Sequence, residues 1–208
     1  MYTPISWSRT AGAIAALTLA LAPPAAAQWI RPQIGFAGGM AIPTGDYRGT
    51  GGREGFSPGV AGTGLLFLRV RGFPAQFRLD ASYASNGAND RLKADLLGAF
   101  GQSTDERTTL LGGNLDAQYP VALRVLHLRP YIVGGAGMYR TLIAVTAAGS
   151  SGSSVGYRFS WNAGGGVAFD ARRVSVFLEA RSVSVAAGSG FAGMTFIPLM
   201  GGIRLGRS

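Results

Sequence analysis

The sequence predicts an all-β fold: an eight-stranded antiparallel up-and-down transmembrane β-barrel, preceded by a cleaved signal peptide. Three observations predict it. Charge is scarce: only 14% of the 208 residues are charged and Lys93 is the one lysine, whereas a soluble domain is usually about 25% charged. Short segments alternate, residue by residue, between bulky apolar side chains and small or polar ones, the period of a strand with two unlike faces. The connections between these segments are alternately long and short, as in barrels with short periplasmic turns and longer outer loops.

Residues 1–27 read as a secretory signal peptide, leaving 28–208 as the barrel domain. Arg9 supplies the positive start, Ala11 to Ala22 is a short apolar run, and Pro23-Pro24 breaks it. Ala25-Ala26-Ala27 gives a small-residue cleavage pattern. The run is too short to span a membrane, which takes about 20 apolar residues. The sequence has no cysteine, so it has no disulfide framework, cysteine metal site or lipid-bearing cysteine.

The first strand, Gln33 to Ile42, sets Ile34, Phe36, Met40 and Ile42 against Gln33, Gly35, Ala37, Gly39 and Ala41. Pro43 to Tyr47, P-T-G-D-Y, ends it with turn chemistry, and Gly49 to Gly55 continues as a loop. The second, Gly59 to Arg71, has ambiguous facing around Leu65-Leu66-Phe67-Leu68, and Gly72-Phe73-Pro74 turns the chain. The third, Gln76 to Ser85, alternates most clearly, with Phe77, Leu79, Ala81 and Tyr83 against Arg78, Asp80, Ser82 and Ala84. Asn86 to Arg107 is the longest connection, and Arg91 to Phe100 within it suits a short amphipathic helix or a strand extension.

The fourth strand, Thr108 to Tyr119, sets Leu111, Leu115, Ala117 and Tyr119 against Gly112, Asn114, Asp116 and Gln118. After a turn over Pro120 to Arg129 comes Pro130 to Arg140, P-Y-I-V-G-G-A-G-M-Y-R, read with Tyr131, Val133 and Tyr139 outward and Arg140 inward. At roughly 3.3 Å per residue and a tilt of about 40°, the two tyrosines stand about 20 Å apart, near the ~25 Å apolar band of such barrels. Together with Tyr83, Tyr119 and Trp161 they would form the aromatic girdles. Ala147 to Gly156 reads as an uncharged Gly/Ser loop. The sixth strand, Tyr157 to Phe169, sets Phe159, Trp161, Val167 and Phe169 against Ser160, Asn162, Gly164 and Gly166, and 170–173 is a tight turn. The seventh, Val174 to Val185, puts Val174, Val176, Leu178 and Ala180 opposite Ser175, Phe177, Glu179 and Arg181. The eighth, Thr195 to Leu205, puts Ile197, Leu199, Ile203 and Leu205 opposite Phe196, Met200, Gly202 and Arg204.

Soluble barrels alternate too, so the contents of the faces decide. One face is bulky and apolar. The other is small and sparsely charged, which suits the narrow interior of eight strands rather than a wet exterior. The signal peptide, P-T-G-D-Y, the fifth-strand motif and the closing I-P-L-M-G-G-I-R-L resemble the outer-membrane β-barrel domain family, which groups with eight-stranded OmpA/OmpX-like barrels. The likeness runs over the mature chain. It implies residence in the outer membrane of a Gram-negative-type cell, with lipopolysaccharide and phospholipid as surroundings, and a monomer. Such barrels usually end on an aromatic residue, whereas this chain ends L-G-R-S.

The predicted topology sorts the charges into two sets. Arg78, Asp80, Asp116, Glu179, Arg181 and Arg204 point into the lumen, with Arg140 higher up; buried there, they must pair. Arg31, Arg69, Arg71, Arg124, Arg129, Arg172, Arg173 and Arg207 fall on the periplasmic rim, opposed only by Asp170, where each could gain about 1 kcal/mol from anionic headgroups. The net charge of +9 does not indicate nucleic-acid binding, because the chain is exported.

No catalytic set is legible. His127, the single histidine, lies on a predicted turn, and no metal or cofactor site is expected. The glycine runs Gly134-Gly135 and 164–166 lie mid-strand without a following helix, so they suit curvature rather than phosphate binding. The expected function is a structural or loop-mediated binding or adhesion role without catalysis, with loop 86–107 as the surface for an extracellular ligand. A small transport pore gated by the lumen charges and a soluble periplasmic lipocalin-like binder are the alternatives. Conductance identifies the first; large side chains turned inward would identify the second.

Overall fold

The computed structural model describes residues 30–49, 55–101, 104–123, 128–147, 150–171, 174–188 and 192–206. The predicted signal peptide, Arg124, His127, Arg172, Arg173 and Arg207 lie outside these. Eight antiparallel strands close on themselves in sequence order. They are β1 (Ile30–Thr44), β2 (Gly59–Val70), β3 (Gln76–Gly87), β4 (Thr104–Pro120), β5 (Leu128–Ala147), β6 (Ser150–Ala171), β7 (Val174–Val185) and β8 (Met194–Leu205). Closure comes from β1 against β8, with Ile34 opposite Leu205 and Ile42 opposite Ile197. A closed sheet leaves no unpaired strand edge to face hydrocarbon.

The alternation seen in the sequence becomes an outside and an inside. Leu79, Trp161, Leu178 and Leu199 lie on the outside, while Arg78 and Glu179 are 0% and 2% exposed inside. A water-soluble barrel needs the reverse, so the lipocalin-like alternative fails. The outer surface also carries Ile34, Phe36, Leu115, Ile132, Phe159, Val176 and Ile203. An apolar surface this continuous belongs in hydrocarbon. The facing that was ambiguous in β2 resolves with Leu65 and Phe67 buried.

The fifth strand corrects the sequence reading. Tyr131, Val133 and Tyr139 are buried in the lumen, whereas Ile132, Met138 and Arg140 lie outside. The two tyrosines therefore do not belong to a girdle, and Arg140 does not belong to the lumen. Room inside is the physical reason. The ring of Tyr139 lies against Gly112, and a Cβ on Gly166 would come within 2.5 Å of the Tyr131 hydroxyl. Glycines on the neighbouring strands make the spaces that these rings fill. Tyr83, Tyr119 and Trp161 do face outward.

The two ends of the barrel differ. At the turn end, β6 and β7 are separated by residues 172–173 alone. At the opposite, hairpin end the strands run long. Where the sequence suggested a loop from Ala147 to Gly156, residues 150–156 belong to β6, and β5 and β6 stay paired out to Ala147 opposite Ser150. β6 meets β7 only from Ser160 onward, so its preceding ten residues rise past that neighbour, roughly 30 Å measured along a strand. β4 follows β5 outward, with Thr104 opposite Ala147. Beside this three-stranded extension lies helix α1 (Asp90–Phe100). Asn89 caps its start by accepting from the Leu92 N–H at 2.8 Å, and Gly101 ends it in the left-handed conformation at φ 66°.

Candidate functional site

The inward residues stack in layers. From the turn end to the hairpin end, β7 contributes Ser175, Phe177, Glu179, Arg181, Val183 and Val185. That order is polar, apolar, charged, apolar along β7, whereas on β3 and β4 the inward Gln76 and Gln118 lead directly to Arg78 and Asp116. Leu65, Phe67, Tyr131, Val133, Ala168 and Phe177 form the apolar cluster nearer the turns. Tyr47, Leu110, Tyr139, Val183, Val185, Met194 and Phe196 are the larger members of the cluster nearer the hairpins.

Between them sits a cluster of charges from β3, β4 and β7. Arg78 donates to Glu179 at 2.7 and 3.0 Å and pairs with Asp80 at 2.8 Å. Arg181 pairs with Asp116 at 2.8 Å, Asp80 at 2.9 Å and Glu179 at 3.0 Å. Two guanidinium groups thus hold three carboxylates. Neutral donors complete the set: Tyr131 donates to Glu179 at 2.9 Å and Asn162 to Asp116 at 2.8 Å. An ion cluster withdrawn from water is tolerable only when its members are paired this completely. Inward glycines make space for it, since a Cβ on Gly135 would overlap the Asp116 carboxylate and the Leu115 carbonyl.

Arg204 lies apart from this cluster, at the turn end, close to Asp170 (3.4 Å), Ser175 (3.2 Å) and Gln76 (3.3 Å). Asp170 also pairs with Arg129. The predicted lumen network is therefore two groups: Arg78, Asp80, Asp116, Glu179 and Arg181 at mid-height, and Arg204 below. Arg31, Arg69 and Arg71 are exposed on the turn-end rim.

Several lumen residues were missed in the sequence. Arg158 is buried toward the hairpin end. Its spacing from Ser160 and Asn162 already placed it on their inward face. Asn86 is also buried; it donates to the Ala41 and Ser57 carbonyls, both at 2.9 Å, and so ties the start of the long connection to β1. Tyr47 packs on Phe56 over this end, and burial pushes its phenol pKa above the ordinary value. Among the described residues no group of His, Cys, Asp or Glu side chains is placed to hold a metal ion.

No protein family and no curated protein matches the sequence. Solved structures do. The fold is similar to that of Neisserial surface protein A, with a TM-score of 0.57 and 15% identity over 85% of this chain and 98% of that one. It is similar to a major outer membrane protein from Thermus thermophilus, at 0.55 and 13% over 84% and 99%. It is also similar to Ail, the attachment invasion locus protein of Yersinia pestis, at 0.51 and 10% over 85% and 99%. Identities this low speak for shape alone. The closed barrel, its apolar exterior and these matches together give the fold of eight-stranded outer-membrane β-barrels.

Proposed function

We propose that this chain is a non-catalytic, monomeric outer-membrane barrel whose hairpin end presents a binding or adhesion surface to the outside of the cell. The observation that carries this reading is the contrast between a filled lumen and a built-up hairpin end. The mid-height ion cluster, flanked by apolar clusters, occupies the centre of the lumen, in keeping with the side-chain-filled interior of eight strands. In this orientation the short turns and the arginine rim face the periplasm, and lipopolysaccharide and phospholipid surround the apolar band.

The contact surface is residues 86–107 with the adjoining extension of β4–β6. Helix α1 exposes Asp90, Arg91, Lys93 and Asp95, and Lys93 pairs with Asp105 at 3.5 Å in solvent. That exposed pair adds little stability. Its setting on a capped helix matters more, because a pre-ordered surface loses less entropy on binding. A neighbour in fold bears the name attachment invasion locus protein, which supports the same reading.

The test uses cells displaying the full chain and a variant with residues 90–100 replaced by a Gly/Ser linker. We expect the variant to keep the heat-modifiable gel mobility of a folded barrel and to lose adhesion to a protein-coated or host-cell surface. Sustained conductance by the wild-type barrel in a planar bilayer would instead establish a pore and sink the reading.

A further inference from the structure

The turn end of the lumen holds a pocket of about 50 Å³, lined by Arg69, Arg129, Arg204, Gln76, Gln118 and Tyr131 among others. A cavity needs only about 10–15 Å³ on this measure to hold one water, so the pocket has room for a small tetrahedral ion. Its charges do not balance. Asp170 is paired with both Arg129 and Arg204, and Arg69 has no carboxylate partner among the described residues. Three guanidiniums against one carboxylate leave an excess of two positive charges. Arg69 and Arg129 line the same pocket as Arg204.

Two buried atoms on this wall also lack hydrogen-bond partners. Arg204, 7% exposed, has an unpartnered Nε donor; Gln118, 8% exposed, has an unpartnered Oε1 acceptor. They give the pocket wall one free donor and one free acceptor.

We infer that this mouth is a binding site for a phosphate dianion, either inorganic phosphate or the terminal phosphomonoester of a small solute. Hydrogen phosphate carries two negative charges, which match the excess. It carries acceptor oxygens for the arginine forks, the geometry in which arginine binds phosphate best. Its single P–OH donates to the Gln118 amide oxygen. A phospholipid diester has one charge and no such proton. The site is independent of the surface proposed at the opposite end.

The test is calorimetric titration of the full-length refolded barrel in detergent micelles with inorganic phosphate, phenyl phosphate, sulfate and acetate. We expect saturable phosphate binding that tightens from pH 5.5 to 7.5 as the monoanion gives way to the dianion. Sulfate, lacking the proton, and acetate, lacking the second charge, bind at least tenfold more weakly. Arg69→Gln and Arg204→Gln each weaken phosphate about tenfold or more, as expected for losing a charge-assisted hydrogen bond. Arg71→Gln, an exposed rim change outside the pocket, leaves it within about twofold. Arg69→Gln keeps the arm readable if Arg204→Gln fails to fold. Equal affinity for phenyl phosphate identifies a phosphomonoester solute as the wider ligand class, and loss of affinity identifies the free ion; both keep the site. Undetectable wild-type binding, sulfate binding as tightly as phosphate, or equal losses from Arg71→Gln and Arg69→Gln would overturn it.

Discussion

The centre of the lumen and its turn-end mouth are both built from arginine and carboxylate, yet they solve different problems. At the centre, three acids surround two arginines, every ion has partners, and Tyr131 and Asn162 supply further donors. At the mouth, Asp170 is shared between Arg129 and Arg204, and Arg69 is left without a carboxylate among the described residues. Salt-bridge formation alone therefore does not distinguish structure from binding. The completeness of the pairing does: at the centre every arginine and carboxylate touches an opposite charge, whereas at the mouth Arg69 touches none among the described residues.

The largest way to break this contrast is Arg78→Ala. It removes the guanidinium that holds Asp80, Asp116 and Glu179, and it leaves charge uncompensated in a fully buried site. We expect a loss of about 3–5 kcal/mol, the usual cost of stripping one partner from a buried pair. Urea unfolding from phospholipid vesicles, followed by the fluorescence of the lipid-facing Trp161, measures it. Gly135→Val is expected to cost about 3 kcal/mol, at the upper end for overpacking, because its Cβ meets backbone as well as a carboxylate. Tyr131→Phe deletes only the bond to Glu179 and should cost about 1.5 kcal/mol. Arg71→Gln on the exposed rim should stay within about 0.5 kcal/mol. If Arg78→Ala unfolded no more readily than Arg71→Gln, the centre would not be a keystone.

All eight strands were legible in the sequence, though the facing of β2 was ambiguous there, and the inward set Arg78, Asp80, Asp116, Glu179 and Arg181 could be read from alternation. The facing of β5 could not. Gly134, Gly135 and Gly137 remove bulk from both sides of that strand, so side-chain size no longer marks a face. Cross-strand register carries the information instead: Tyr139 pairs beside Gly112, and Tyr131 beside Gly166. The Ser/Gly-rich hairpin tip was hidden for a different reason. Serine and glycine have weak strand preference, and that segment is held by the pairing of two long strands rather than by its own composition. Arg204 looked like part of one lumen network because alternation gives a side, not a height.

The pairing of Ile34 with Leu205 has a consequence for biogenesis. The opening strand finds its mate only after the final strand exists, so the cylinder cannot shut while synthesis is under way. The ion cluster draws on β3, β4 and β7, so it too stays incomplete until most of the polypeptide has arrived. Such distant partners make for slow assembly. Until then the chain carries raw strand edges and unmatched charges.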